Sequence, residues 1–517
     1  MTGLVGRRGL IIGGLAAGLV AAGPHRTFGA ASPFTLGIAS GSPAPDGFVI
    51  WTRLAPEPVA PDGLGGMTGP AQVSWDVAED EGMRRIVRRG QTQTDAALAH
   101  ALHIEVGGLR ADRPYWYRFT AMGDTSPIGR ARTAPAQGAR NTRLKLAIAS
   151  CAHWETGWFS AYRHMAAEDH DLTLFLGDYI YEYGNAASRT DLVRHFDKTA
   201  ECRTLIEYRN RHALYHTDPD LQALHAAAPC LATWDDHEVQ NDYSADWSQI
   251  GTIPVEEFRA RRLAAYRAFY EHMPLRPSVL THAPEMRIYG AFDYGDLGRI
   301  NVLDGRQYRS IQPCAVGGSR RGHVAPSSCA DLVDPNRSML GIAQETWLYD
   351  SFRTSTARWN LIAQDLLVAP YAQNTSDGQP GAFTEGWSGY AANRARMLAA
   401  IDLSHVKNPV FFGGDMHAYV TTDLKRDGFT GPTVATEFVG TSVTSDNAAD
   451  SIAATLTDNP HVKLFDNRHH GYMTAELTPA RMDTAFRVVS NRLDPNATVS
   501  TFKRFGVENG RAGAVEI

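Results

Sequence analysis

At 517 residues the chain is too long for one simple core, and two or more domains are expected. Hydrophobic residues make up 43% and charged residues 21%, an ordinary balance for a globular protein that folds in water. A formal net charge of -6 excludes a general attraction to nucleic acid, so any phosphate-binding site must concentrate positive charge locally, most simply as metal.

Residues 1–31 read as a targeting segment. Arg7 and Arg8 precede an apolar, Gly/Ala-rich run over 10–23, shorter than the roughly 20 residues that span a bilayer comfortably. Gly29, Ala30 and Ala31 offer small residues for cleavage. Paired arginines before a weakly apolar run resemble a twin-arginine signal, which hands a folded protein to the twin-arginine export machinery. The expected location is the periplasm or the exterior, and no later stretch is long and apolar enough to anchor the chain in a membrane. Cys314 and Cys329 lie in one Gly/Pro/Ser-rich stretch and are expected to pair. Cys202 and Cys230 are a second available pair, which leaves Cys151 alone.

Residues 33–140 read as an all-β domain. Segments 47–54, 73–77, 102–106 and 115–119 alternate apolar and polar residues between Pro/Gly-rich connections, as in a fibronectin- or immunoglobulin-like sandwich. This module is expected to be a spacer without chemistry. From residue 143 to 517 the pattern changes to continuous apolar strands over 144–150, 172–176, 230–234, 299–303, 359–363 and 409–412. Helical stretches, among them 158–169, 258–270 and 393–401, lie between them. Buried strands alternating with helices predict an α/β domain whose sheets are covered on their faces.

Five of these strands run into polar, ligand-capable residues. Segment 144–150 leads to Cys151, 172–176 to Asp178 and Tyr181, and 230–234 to Asp236 and His237. Segment 299–303 leads to Asp304 and Arg306, and 409–412 to Asp415 and His417. One aspartate after a strand is a common turn or cap residue. Five such tips in an α/β fold converge on one cleft, because ligands bind beyond the carboxyl ends of strands. The set mixes thiol, phenol, imidazole and carboxylate, and the chain has no Cys-x-x-Cys, which suits paired or trivalent cations better than a structural zinc.

The strings Ser150-Cys151, Gly177-Asp178-Tyr179-Ile180-Tyr181-Glu182-Tyr183 and Trp234-Asp235-Asp236-His237-Glu238 together resemble the PhoD family of alkaline phosphatases and phosphodiesterases. Asp304-Gly305-Arg306-Gln307-Tyr308-Arg309, Gly414-Asp415-Met416-His417-Ala418 and Glu437-Phe438-Val439-Gly440-Thr441-Ser442 extend the resemblance from about residue 34 to the C-terminal region. It implies a four-layered αββα metallophosphoesterase sandwich, related to purple acid phosphatases, and a centre of Fe3+ and Ca2+. On the same basis Cys151 and Tyr181 are expected on ferric iron, Asp178 as the bridge, His417 on the iron side, and Asp415 and Asp236 on the calcium side. His237 matches a substrate-facing histidine. Asn241 is expected to reach calcium or a phosphate oxygen, although its loop reads Gln240-Asn241-Asp242 where the family leads one to expect paired asparagines. Thiolate, tyrosinate and carboxylate bring three negative charges, which favour the ferric state and a Lewis-acid role.

The expected reaction is hydrolysis of phosphate monoesters by metal-activated water, with Asp178 holding the metals and His237 donating to an ester oxygen. Arg306 is expected either to clamp the phosphate or to pair with Asp304. Two alternatives share these residues. One is a phosphodiesterase of phospholipase D-like activity, set apart by pocket shape. The other is a non-catalytic secreted module that uses calcium for rigidity, which needs neither Tyr181 nor His237.

Overall fold

A computed structural model describes residues 32–185, 189–196, 200–282, 285–314, 322–374, 378 and 380–517. The targeting segment 1–31 lies outside the described residues.

The apolar strands form the centres of two sheets. In the larger, Leu144–Ala149, Leu172–Leu176 and Cys230–Thr233 run parallel, with Leu172 opposite Leu146 and Thr173 opposite Cys230. The C-terminal strands Gly471–Leu477, Arg481–Val489 and Val499–Glu508 extend one side as an antiparallel meander. In the second sheet Gly298–Val302, Trp359–Ala363, Pro409–Gly413 and Thr433–Val439 run parallel. These strands are apolar on both sides because both sides are covered.

Leu146, Ile148 and Leu174 of the larger sheet meet Leu361, Phe412 and Phe438 of the second in a shared core. Helices Leu205–His216, Pro219–Ala227 and Val255–His272 cover the outer face of the larger sheet through Tyr208, Tyr215, Leu224, Tyr266 and Phe269. Gly341–Thr354 and Ala391–Leu403 cover the second through Leu348, Phe352 and Met397. The order is helix, sheet, sheet, helix, the four-layered sandwich expected from sequence. Local signals agree with the packing. Thr204 and Glu207 close a capping box at the first turn of Leu205–His216, and Asp218 caps Pro219–Ala227, which has proline in its first turn.

The N-terminal β-sandwich is built into the larger sheet. Ile38–Ala44 lies parallel to Cys230–Thr233 through Gly41 opposite Cys230, and Gly47–Arg53 and Ala101–Val106 follow. A Cβ at Gly41 would lie 2.6 Å from the carbonyl oxygen of Pro274 and 2.9 Å from that of Cys230, so glycine is what permits the join. Strands Gln72–Ala78, Ile86–Gln93 and Pro114–Ala121 form the facing sheet, with Phe48, Ile50, Val73, Tyr117 and Phe119 between them.

A small sheet of His323–Val324, Pro380–Phe383 and Gln373–Asn374 stands apart from both large ones. The disulfide Cys314–Cys329 forms in this segment, as expected. Cys202 and Cys230 do not pair; both are free and buried, like Cys151. Among the described residues no helix is long and apolar enough to cross a membrane.

Behind the larger sheet the helices bury a histidine cluster. His212 stacks on His272 with ring centroids 5.0 Å apart, and Tyr179 Oη lies 3.1 Å from His216 Nε2 and 2.7 Å from His225 Nε2. Burial, reinforced by Arg53 and Arg211, pushes His212 down to about 3, and burial alone does the same to His225. The unfolded chain takes up these protons near the ordinary imidazole value of 6.5, whereas the folded chain refuses them until near 3. Their contribution to stability is therefore complete above pH 6.5 and is lost as pH falls from there toward 3. The melting temperature should drop between pH 7 and pH 5, and His212→Gln should flatten that drop; an equal slope in the variant would contradict the assignment.

Candidate metal centre

The strand ends are shaped to turn ligands inward. Cys151, Asp178, Asp415 and His417 have φ of 60°, 52°, 62° and 50°. A left-handed backbone costs roughly 1–2 kcal/mol at a residue with a side chain, and such strain gathers at functional sites. Backbone bonds hold the turns in place. Cys151 N donates to Gly177 O at 3.3 Å, Ala152 N to Asp178 O at 3.0 Å, and Gly414 N to Asp365 O at 2.8 Å. Gly177 is required here: a Cβ would fall 2.3 Å from the Cβ of Asp235. The buried Glu238 carboxylate accepts from Asp178 N, Tyr179 N and Asp235 N, tying two strand ends together.

Two ligand groups result, and Asp178 belongs to both. Donor atoms of Cys151, Asp178 and His417 lie within 4.8 Å of one another, as do those of Asp178, Asp236 and His237. Tyr181 Oη donates to Asp178 Oδ2 at 2.8 Å and lies 3.2 Å from His417 Nε2. His417 Nδ1 donates to the carbonyl of Asp446 at 2.6 Å, which leaves Nε2 as the lone-pair nitrogen facing Asp178 and Tyr181. Asp415 lines the same cleft beside Asp178 and Asp236.

Asp178 Oδ1 is buried without a hydrogen-bond partner, a loss of about 1–3 kcal/mol unless something positive meets it. Burial, then Glu385 and Asp236, push the Asp415 carboxyl well above its usual range. Burial and Asp178 likewise push the Cys151 thiol and the Tyr181 phenol well up. A bound cation reverses each of these trends, because it is the largest local charge. The donor set fits metal.

His237 has a different task. Its Nδ1 lies 2.7 Å from Glu182 Oε2, and its ring stacks on Tyr181 with centroids 4.2 Å apart. Burial opposes charge on this ring, but Asp236, Glu182 and Asp178 outweigh it and raise the imidazolium well above the usual range. His237, held through Nδ1 by Glu182, lines the cleft, whose volume is about 460 Å³. Asn241 lines the same cleft, and its backbone N donates to Glu182 Oε1 at 2.9 Å.

Arg306 is the exception among the expected site residues. It is 0% exposed and lies beneath the cleft, bonded to Asp235 and Glu385, with Asp365 at 3.6 Å and Asp236 at 3.8 Å. Neither expected role matches this place, since no phosphate reaches it and Asp304 is not its ion partner. Asp304 Oδ1 instead accepts from Trp234 Nε1, Arg306 N and Gln307 N, shaping the turn that points Arg306 inward. The other expected residues, Cys151, Asp178, Tyr181, Asp236, His237, Asn241, Asp415 and His417, gather at one cleft.

The PhoD-like phosphatase family matches residues 146–486, and the N-terminal domain of that family matches residues 20–135. Alkaline phosphatase D of Bacillus subtilis (strain 168) is 42% identical over 489 residues, which cover 93% of this chain and 82% of that protein. The chain belongs to the PhoD-like phosphatase family. A solved structure of PhoD agrees, with a TM-score of 0.87 at 41% identity over 94% of this chain and 92% of the other. This PhoD-like chain is accordingly a phosphoesterase, with an N-terminal all-β domain ahead of its catalytic domain.

Several residues that build this PhoD-like site carry no sequence expectation. Glu182 holds His237, Glu238 holds the strand ends, and the Asp446 carbonyl holds His417. Asp365 follows Trp359–Ala363 as Asp178 follows its own strand, so the strand-tip rule points to it as well. Glu385 has no such signal.

Removing Arg306 should strand Asp235, Glu385 and Asp365 in the interior. Arg306→Ala is expected to lose about 3–5 kcal/mol of stability in urea denaturation. Normal stability with a raised KM for substrate would instead return Arg306 to phosphate binding.

Proposed function

We propose that the protein is an exported phosphomonoesterase whose centre would hold Fe3+ and Ca2+, with Asp178 common to both ligand groups. The observation that carries this reading is the pair of ligand groups sharing Asp178, whose Oδ1 has no partner in the protein. Cys151, Tyr181 and His417 would hold the iron, since thiolate and phenolate favour the ferric state. Asp236 and Asp415 would hold the calcium, which takes hard oxygen donors. When bound, such cations lower the pKa of water and offset charge on the phosphoryl oxygens.

The chain's own residues do the rest. The Asp178 carboxylate fixes the spacing of the two ligand groups, because both are built on it. His237, held by Glu182, offers its Nε2 proton to a phosphate or leaving-group oxygen. Asn241 lines the same cleft; its Nδ2 donates to Asp242 and to Gln249 Oε1, which leaves Oδ1 for calcium rather than an amide proton for a phosphate oxygen. Enclosure of the Arg306 network keeps Asp235 and Asp236 in place under the reacting group.

Asp178→Ala should lower turnover of a nitrophenyl monoester by more than about a hundredfold, beyond the loss usual for residues that only support ligands, and should deplete iron and calcium on elemental analysis. Cys151→Ala should bleach the visible tyrosinate band. Full metal content in both variants would remove the proposed ligands, and faster turnover of the bis-ester would make the protein a diesterase.

Export through the twin-arginine machinery to the periplasm or exterior is supported by Arg7, Arg8 and the apolar run over 10–23. The Cys314–Cys329 disulfide supports an oxidising compartment. N-terminal sequencing of protein from the periplasmic or culture fraction should begin near residue 32. An uncleaved chain in the cytosol would refute export.

A further inference from the structure

The lining of the cleft has two unlike parts. One carries Asp178, Asp236, His237, Asn241, Asp415 and His417, the residues of the proposed reaction. The other carries Phe383, Met416, Ala448 and Ile452, all partly buried and apolar, together with His323 and Gln373. Among the described residues that line the cleft there is no lysine or arginine.

The apolar side is held firmly. His323 lies opposite Phe383 across two antiparallel strands, and their rings stack with centroids 4.9 Å apart and planes at 29°. His323 Nε2 lies 2.7 Å from Gln373 Oε1, which fixes the imidazole against the phenyl ring. Gly322 N donates to Thr384 Oγ1, and Val324 packs with Cys329 of the disulfide. From the other direction, Ala448 N donates to His417 O at 3.1 Å, so this wall and the ligand loop share a backbone bond. A flat aromatic face and a branched aliphatic chain thus line the same cleft as the groups that would hold the phosphate.

We propose that this wall is the leaving-group side of the site, selecting phosphate esters whose alcohol is uncharged and presents an apolar, flat face. The proposal rests on the phosphoesterase reading above and adds the class of substrate. A phosphate held among the cation ligands has its ester oxygen directed toward the rest of the cleft, where the available surface is the phenyl ring of Phe383 and the side chain of Ile452. An apolar alcohol gains there by leaving water and by aromatic contact. A leaving group with a second phosphate would have to shed water against this apolar surface and would meet no guanidinium or ammonium among the described lining residues.

The test compares three primary alkyl esters with the metal-replete enzyme: 2-phenylethyl phosphate, glycerol 1-phosphate and 1,3-propanediol bisphosphate. Their alcohols leave with similar ease, so differences report binding of the alcohol portion. The phenylethyl ester should exceed glycerol phosphate in kcat/KM by about tenfold, the scale of a good apolar pocket, and the bisphosphate should be the poorest. Phe383→Ala should cut the ratio of phenylethyl to glycerol ester by about three- to tenfold, the scale of one aromatic contact, and mainly through KM. Ile452→Ser, on a separate element, should move the ratio in the same direction, which distinguishes lost contact from local disorder of the small sheet. Equal kcat/KM for the first two esters in the wild type, preference for the bisphosphate, or a ratio untouched by both variants would overturn the proposal while leaving the phosphoesterase in place. Turnover of none of the three would overturn both.

Discussion

Carboxylates crowd the ends of the parallel strands faster than the protein supplies positive charge to balance them. Asp178, Asp235, Asp236, Asp365, Asp415 and Glu385 lie close together, and the guanidiniums that answer them are Arg306 and Arg309. The imbalance shows in the direction of each titration. Burial pushes Asp235 well up despite Arg306, and Asp365 rises to about 6. Asp236 goes the other way, held down by His237 and Arg306 against the effect of burial. A protein that only needed to fold would gain by replacing such a cluster with apolar residues. Cations between Asp178 and its neighbours would resolve the surplus, and the donor types around Asp178 are those that cations accept.

The fold puts the surplus where it can act. Parallel strands from two sheets end on the same side, and sharp left-handed turns at Cys151, Asp178, Asp415 and His417 redirect the chain within a residue or two of each strand. The cost of these turns is offset by the backbone bonds between neighbouring strand ends and by Glu238, which accepts from three amides at once. Arg306 serves as the counter-ion below, and His237 with Glu182 is the proton donor of the proposed reaction above. One layer of charge therefore stabilises the site, while a separate hydrogen-bonded pair, His237 and Glu182, stands at the cleft.

Much of this was legible in the amino-acid sequence, for a physical reason. A buried parallel strand is a continuous apolar run, and its end is marked by the polar residues that follow, so the proposed ligands Cys151, Asp178, Asp236 and Asp415 advertise themselves by position. Helix positions are legible on similar grounds, since Val255–His272 and Ala391–Leu403 contain the expected 258–270 and 393–401. Side-chain direction is another matter. Arg306 follows its strand as a ligand would, but it turns inward because Glu385, 79 residues further on, and Asp235, 71 residues before, are waiting there. No local pattern encodes those partners. The join between the β-sandwich and the larger sheet is equally hidden, because it depends on one glycine at Gly41 and its close approach to two carbonyls.

The decisive measurement is anomalous diffraction at the iron edge from crystals of protein purified without added metal. The account predicts an iron peak bounded by Cys151 Sγ, Tyr181 Oη and His417 Nε2, and a second, non-iron cation across the Asp178 carboxylate beside Asp236 and Asp415. Ordered water alone at both positions, or a metal bound away from Asp178, would contradict it.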